Sequence, residues 1–209
     1  MKKSPPTGKR KIKGVLFDFD GTLTCPGALD FPAIKRAIRC PEDKPILEFL
    51  DALPPEKRAP LEKILEERET AAARVSLPNA GAESCISALK REGFFLGILT
   101  RNSLRSVRVA FQRFHGIGPG DFDVIITREN SLPKPHPDGI YQAARKMGLS
   151  PEEILVVGDF RFDVICGHEA GASTVLLAPD NVSVMHAGDP EPDHVIRRLE
   201  ELLDILGIK

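Results

Sequence analysis

One stretch constrains this chain more than any other: Gly14 to Thr24, Gly-Val-Leu-Phe-Asp-Phe-Asp-Gly-Thr-Leu-Thr. Val15, Leu16, Phe17 and Phe19 make a short apolar run closed by Gly21, the pattern of a buried parallel strand that empties into a loop. Side chains alternate along a strand, so Asp18 and Asp20 share one face and Phe19 takes the other. Two carboxylates then meet at the carboxyl end of a strand, where open α/β sheets form their ligand crevice. Unrelieved, they repel, and one tends to keep its proton. A divalent cation removes that tension, and oxygen-only ligands favour magnesium or calcium over zinc. Gly21 allows a sharp turn beside a ligand, and Thr22 is placed to hydrogen-bond its own loop. Solvated acids or a helix cap would explain either Asp alone, but an Asp-x-Asp-Gly-Thr string arises by chance on the order of once per thousand chains of this length.

The segment after Thr24 has little strand character. Three helical stretches separated by prolines are expected at Phe31–Arg39, Lys44–Leu53 and Pro55–Val75, the last with Leu61, Ile64, Leu65 and Arg68 on one stripe and Glu62, Glu66 and Glu67 off it. A segment of this size is too small to bury a core of its own. It is expected to fold against the rest as a helical cap spanning 25–77, so that 12–24 and 78–209 form the core. Beyond it the chain alternates. Helices are expected at Pro78–Arg91, Leu104–Phe114, Pro137–Met147, Val164–Ala170 and Arg197–Leu206, and strands at Phe94–Leu99, Val124–Thr127, Ile154–Gly158 and Thr174–Leu177, with an edge strand at His194–Ile196. That alternation implies an α/β fold: a three-layer, Rossmann-like parallel sheet with helices on both faces and a small α-helical cap inserted after the first strand.

Composition narrows the partners. The formal net charge is -1 over 209 residues, so no global electrostatic case exists for nucleic acid or an anionic membrane. Lys2, Lys3, Lys9, Arg10, Lys11 and Lys13 crowd the amino-terminal end, where 1–11 is expected to be a mobile, solvated tail. No apolar run approaches a membrane span and no signal-peptide pattern opens the chain, which points to the cytoplasm. Cys25, Cys40, Cys85 and Cys166 lack metal or redox spacing and are expected as free thiols.

Four polar elements each come after an expected strand: Asp18, Thr100, Lys134 and Asp159. The architecture would gather them into one crevice. Asp163 lies four residues after Asp159, one helical turn on, so that both acids can face the same ion. Read without analogy, these residues amount to a site of carboxylates, a metal and a lysine that suits a phosphate. His136, between two prolines, is expected to be partly exposed rather than a ligand, and the other histidines lack ligand spacing.

The strings Asp-Phe-Asp-Gly-Thr-Leu-Thr, Leu99–Asn102 (Leu-Thr-Arg-Asn), Leu132–Pro137 (Leu-Pro-Lys-Pro-His-Pro) and Val157–Asp163 (Val-Gly-Asp-Phe-Arg-Phe-Asp) occur in that order. Together they resemble the four motifs of the haloacid dehalogenase-like superfamily of aspartate-nucleophile phosphohydrolases, within its phosphoglycolate phosphatase-like group. The resemblance implies magnesium-dependent hydrolysis of a small phosphorylated metabolite through an aspartyl phosphate. It makes Asp18 the nucleophile and Asp20 the acid and base. It gives magnesium to Asp18, the Asp20 backbone carbonyl and Asp159, the phosphate to Thr100 and Lys134, and the orientation of water or Lys134 to Asp163. Arg101 would turn its backbone N–H to the phosphate and could hold a second anionic group with its side chain; pairing with a nearby acid such as Glu129, or solvent, is the alternative. A phosphomutase with the same intermediate and a non-catalytic binding module are the competing functions. Dehalogenase chemistry is disfavoured, because members with that activity lack the second acid supplied by Asp20.

Overall fold

Gly14–Phe17 is fully buried and forms β1, the strand from which the sheet grows in both directions. The computed structural model describes residues 12–180 and 184–208, and the tail expected at 1–11 lies outside them. β1 pairs in parallel with β2 (Phe95–Leu99) on one side and β4 (Ile154–Gly158) on the other. β3 (Val124–Ile126) extends the first side, and β5 (Ser173–Leu177) and β6 (His194–Ile196) extend the second, giving the order β3-β2-β1-β4-β5-β6. β1 to β5 are short, apolar and largely buried on both faces, as a parallel sheet covered by helices requires, while the edge strand β6 buries only Ile196.

Alternation along each strand divides the core in two. Val15, Phe17, Leu96, Ile98, Leu155 and Val157 face one side, where they meet α4 (Ala82–Arg91), α5 (Leu104–Ala110) and α8 (Glu201–Ile205). Leu16, Ile126, Ile154 and Val156 face the other, against α6 (Asp138–Met147) and α7 (Arg161–Ala170). The result is the expected three-layer α/β fold.

Between β1 and α4 lie α1 (Phe31–Ile38), α2 (Ile46–Asp51) and α3 (Pro55–Val75), with a small apolar cluster of their own built on Ile34, Ile38, Ile46, Leu50 and Leu65. The Asp30 side chain accepts the Ala33 N–H at 2.9 Å and starts α1, and Pro54 and Pro55 set the start of α3. The two connections of this insert are stitched together: Cys25 N–H donates to Leu77 O and Asn79 N–H to Leu23 O, both at 2.8 Å. The backbone thus closes on itself where the insert leaves the sheet domain.

Several boundaries differ from expectation. The helix expected to begin at Pro78 begins at Ala82, because Asn79 is held at the neck. The helix expected over Leu104–Phe114 gives way to a 3₁₀ turn at Phe111, whose ring packs on Phe19, Phe114 and Phe122. The last helix is confined to Glu201–Ile205. On α3 the buried positions are Leu65, Glu69, Thr70 and Ala73, while Arg68 is exposed. Helical periodicity placed the stripe one residue away because Glu69, the residue that moves it, is buried as an ion pair rather than as an apolar side chain.

Candidate active site

β1 ends by delivering Asp18 and Asp20 to the edge of the sheet, and the loops after β2, β3 and β4 bring the remaining groups to them. Asp18 N–H donates to Val157 O at 2.8 Å, which fixes the strand end against β4. Lys134, carried by the loop after β3, reaches beneath it: its Nζ donates to Asp18 Oδ1 at 2.6 Å and to Asp163 Oδ1 at 2.5 Å. The lysine is only 4% exposed, an extreme position for a loop ammonium. Burial works against its charge, but Asp163 and Asp18 outweigh that and hold it protonated, with its pKa raised.

Asp20 has a different neighbour. Asn102 Oδ1 accepts the Ser103 N–H at 2.7 Å, which turns its amide so that Nδ2 donates to Asp20 Oδ2 at 2.9 Å. Seclusion from water pushes Asp20 up to about 6, with the Asn102 hydrogen bond working the other way and Asp18 adding to the rise. Asn102 stands in the Leu-Thr-Arg-Asn string but carried no role in the sequence reading; a carboxamide two residues after the strand-end Thr is the signal that was available. Thr100 is buried, and its Oγ1 accepts the Asn102 N–H at 3.0 Å, while its hydroxyl hydrogen has no acceptor among the described residues.

Carboxylate oxygens of Asp18, Asp159 and Asp163 lie within 4.8 Å of one another. The side chain of Asp20 is outside that group, turned toward Asn102. Burial raises the Asp159 pKa, and the charges of Asp18 and Asp163 raise it further, so that without a second cation beside it Asp159 tends to keep its proton. A hard divalent cation fits this all-oxygen set. Asp159 precedes α7, so the helical spacing expected between Asp159 and Asp163 does not operate. The two converge because Asp163 turns back to accept the Phe160 N–H at 3.2 Å and cap the helix. Thr22, expected to bond within its own loop, instead donates to Asp159 Oδ1 at 3.1 Å across 137 residues of sequence.

Two glycines make this closeness possible. Gly21 has φ +88°, and a Cβ there would lie 2.2 Å from Asp159 Oδ2; a Cβ on Gly158 would lie 2.0 Å from Asp163 Cγ. Gly158→Ala should therefore push Asp163 off Lys134. We expect a loss of activity of about a hundredfold or more and destabilisation of about 1–3 kcal/mol, read by steady-state kinetics and thermal melts; unchanged kinetics would show that Asp163 need not hold Lys134.

Arg101 pairs with an acid, the alternative read from sequence, but the acid is Glu48 rather than Glu129. Its guanidinium donates to Glu48 of α2 through Nη1 and Nη2, at 2.9 and 2.7 Å, contacts the carbonyl of Lys134, and lies 5.0 Å from the Phe162 ring centre. Glu129, the partner considered from sequence, instead caps α5 by accepting the Leu104 N–H at 3.1 and 3.2 Å. Arg128 reaches Glu69 of α3 at 2.5 Å and Arg105 of α5 reaches Glu66 at 3.2 Å, so with Arg101 three core arginines grip the insert. His136 is exposed, with Nδ1 accepting the Asp138 N–H, and the four cysteines are free thiols.

Residues 12–171 match the family model described as haloacid dehalogenase-like hydrolase. The chain belongs to this family. It is 38% identical over 173 residues to an uncharacterized hydrolase of Saccharomyces cerevisiae, covering 81% of this chain and 79% of that one. It is also 27% identical over 215 residues to the pyrophosphatase PpaX of Halalkalibacterium halodurans, covering 95% and 99%. Among solved structures, a hydrolase from Pseudomonas syringae shares the fold with a TM-score of 0.78 at 21% identity, over 94% of this chain and 98% of that one. The chain is accordingly an enzyme of the hydrolase class. None of the helices among the described residues is long and apolar enough to cross a membrane.

Proposed function

We propose that the chain is a magnesium-dependent phosphatase that hydrolyses a small phosphomonoester through an aspartyl phosphate on Asp18. The observation that carries this is the opposite setting of two acids two residues apart: Asp18 lies on the Lys134 ammonium at 2.6 Å, whereas Asp20 lies on the Asn102 amide at 2.9 Å. Paired acids in contrasting environments are how one site runs nucleophilic and proton-transfer chemistry together.

An Asp18 oxygen attacks phosphorus and forms the acyl phosphate as the ester P–O bond breaks. Asp20 gives its proton to the departing oxygen, then takes one from the water that hydrolyses the acyl phosphate. Lys134 has three N–H bonds and directs two of them at Asp18 and Asp163, so the third is left for a phosphate oxygen. Thr100 offers its hydroxyl hydrogen to another. Asp163 is a positioning residue that keeps the ammonium in place. Asp18, Asp159 and Asp163 are the carboxylates that would hold magnesium, joined by the Asp20 backbone carbonyl that the family resemblance implies; the ion would supply positive charge against the phosphate oxygens. The helical insert acts as a cap over this site, held by Arg101 and Arg128, and governs which alcohol reaches Asp20.

The test is release of nitrophenolate from p-nitrophenyl phosphate. Activity should appear with magnesium, fall by about a hundredfold or more on chelation, and return when the ion is restored. Full activity after exhaustive chelation would exclude the metal, and no release under any condition would remove the phosphatase assignment.

A further inference from the structure

Among the described residues, three carboxylates of the insert take arginines from the core, and of these Glu69 is the buried one. A buried ion pair carries a desolvation cost that apolar side chains of similar size avoid. The further contacts of Arg128 give that cost a reason. Its Nη1 lies 2.5 and 2.6 Å from the two Glu69 oxygens and also donates to the Arg101 carbonyl at 3.4 Å, while its backbone N–H donates to the Asn102 carbonyl at 3.4 Å. Two consecutive carbonyls of the loop after β2 thus rest on one residue, whose side chain is anchored on the insert. The same loop carries the buried Asn102 amide, which donates to Asp20 Oδ2 at 2.9 Å and is, among the described residues, the hydrogen-bond donor to that carboxyl.

We propose that Glu69 is a positioning residue for the phosphatase reaction: through Arg128 it fixes the loop that carries Asn102, and so aims the Asp20 carboxyl at the departing oxygen. This inference rests on the phosphatase assignment and deepens it, because it makes docking of the insert a condition for proton delivery. The proton leaves the Asp20 carboxyl for the ester oxygen as the P–O bond to that oxygen breaks and the bond from Asp18 to phosphorus forms, and the product departs as a neutral alcohol. A general acid acts only within hydrogen-bond reach of the oxygen it protonates, and a displacement of about 1 Å can cost a hundredfold in rate. Without Glu69 the guanidinium loses its anchor, the loop loses its hold on the Arg101 carbonyl, and the Asn102 amide is freed to turn. Asp18 stands outside this chain of contacts, its N–H on Val157 O and its carboxylate on Lys134 at 2.6 Å. The loss therefore falls on protonation of the leaving group and spares the attack on phosphorus.

The deciding measurement is kcat/KM, with magnesium, on two esters that differ in their need for a proton. Nitrophenolate leaves p-nitrophenyl phosphate as a stable anion, whereas an alkoxide must be protonated as it leaves; the alkyl ester is whichever of propyl phosphate, glycerol phosphate and phosphoglycolate the parent turns over fastest. This ratio reports the steps up to formation of the acyl phosphate, so the later service of Asp20 as a base does not enter it. Glu69→Gln should lower kcat/KM by about tenfold or more on the alkyl ester and by less than about threefold on p-nitrophenyl phosphate. Asn102→Ala should reproduce the larger loss on the alkyl ester, and adding Glu69→Gln to it should cost little more. Glu69→Leu combined with Arg128→Met exchanges the ion pair for an apolar one that keeps α3 docked; it should melt with the parent and still be slow on the alkyl ester. Equal losses on the two esters, no loss, an Asn102→Ala variant without the alkyl-ester defect, or recovery in the apolar pair would each overturn the inference. Failure of both Glu69 variants to fold would assign the pair to stability and overturn it as well. A parent that hydrolyses p-nitrophenyl phosphate but none of the alkyl esters would overturn the inference alone, and a parent that hydrolyses none of them would also remove the phosphatase assignment.

Discussion

Asp18→Asn is expected to fold like the parent and to hydrolyse p-nitrophenyl phosphate slower by about four orders of magnitude or more. The carboxamide keeps the shape of the side chain but is too weak a nucleophile to form the acyl phosphate, and no other group at this end of β1 can replace it. Asp20 is two residues away, on the correct face, but it is tied to Asn102 and must deliver a proton rather than attack. Folding should survive because Lys134 retains Asp163 as its partner at 2.5 Å. The substitution also removes one negative charge from a cluster of three carboxylates that lie within 4.8 Å of one another. In metal-free buffer the melting temperature of the variant should therefore stay level with the parent's or rise above it. Retention of a tenth of the activity would show that Asp18 is not the nucleophile. A large fall in melting temperature would show instead that Asp18 serves mainly as a counter-ion for Lys134.

The parts of this site that sequence made legible are those in which local pattern and topology agree. An apolar run ending in Asp-x-Asp-Gly fixes a buried strand, a shared face and a turn all at once, and β1 with Asp18 and Asp20 is the outcome. Lys134 and Asp159 were placed because residues just beyond parallel strands converge whatever their separation in the chain. The features that stayed hidden depended on contacts across the domain. Nothing near Arg101 in sequence announces that Glu48, 53 residues earlier, will take both its terminal nitrogens. Periodicity missed the face of α3 that contains Glu69, since burial of a glutamate becomes tolerable only when Arg128 arrives from the β3 loop. Thr22 and Asp159 meet because two strand ends meet, and Asn102 acquires a role only once Ser103 fixes the orientation of its amide. In each case the missing term is a polar partner supplied by another element, which hydrophobic pattern does not encode.

The same dependence on distant partners makes Lys134→Met the most severe test of the site's charge balance. Methionine roughly preserves the volume of the lysine stem, so the change removes an ammonium without leaving a large cavity. Asp18 and Asp163 then face each other, and Asp159, with no cation between them. Removing one partner from a buried ion pair costs about 3–5 kcal/mol because the other charge is left uncompensated, and here two carboxylates lose the same partner. Metal-free Lys134→Met should melt well below the parent. Magnesium should raise the melting temperature of both proteins, and more in the variant, since an ion that binds the folded state stabilises it in proportion to the logarithm of its concentration over its dissociation constant, and the variant's cluster is the more negative. Turnover should not recover with stability. The third N–H of Lys134, the one left for the phosphate, is gone, and its loss is expected to lower kcat by about a hundredfold to a thousandfold even at saturating magnesium. If magnesium restored activity along with melting temperature, Lys134 would be only a structural counter-ion. If the metal-free variant melted with the parent, the buried acids would already be balanced by their own protons, and the case for a divalent cation in this crevice would fall with that of the lysine.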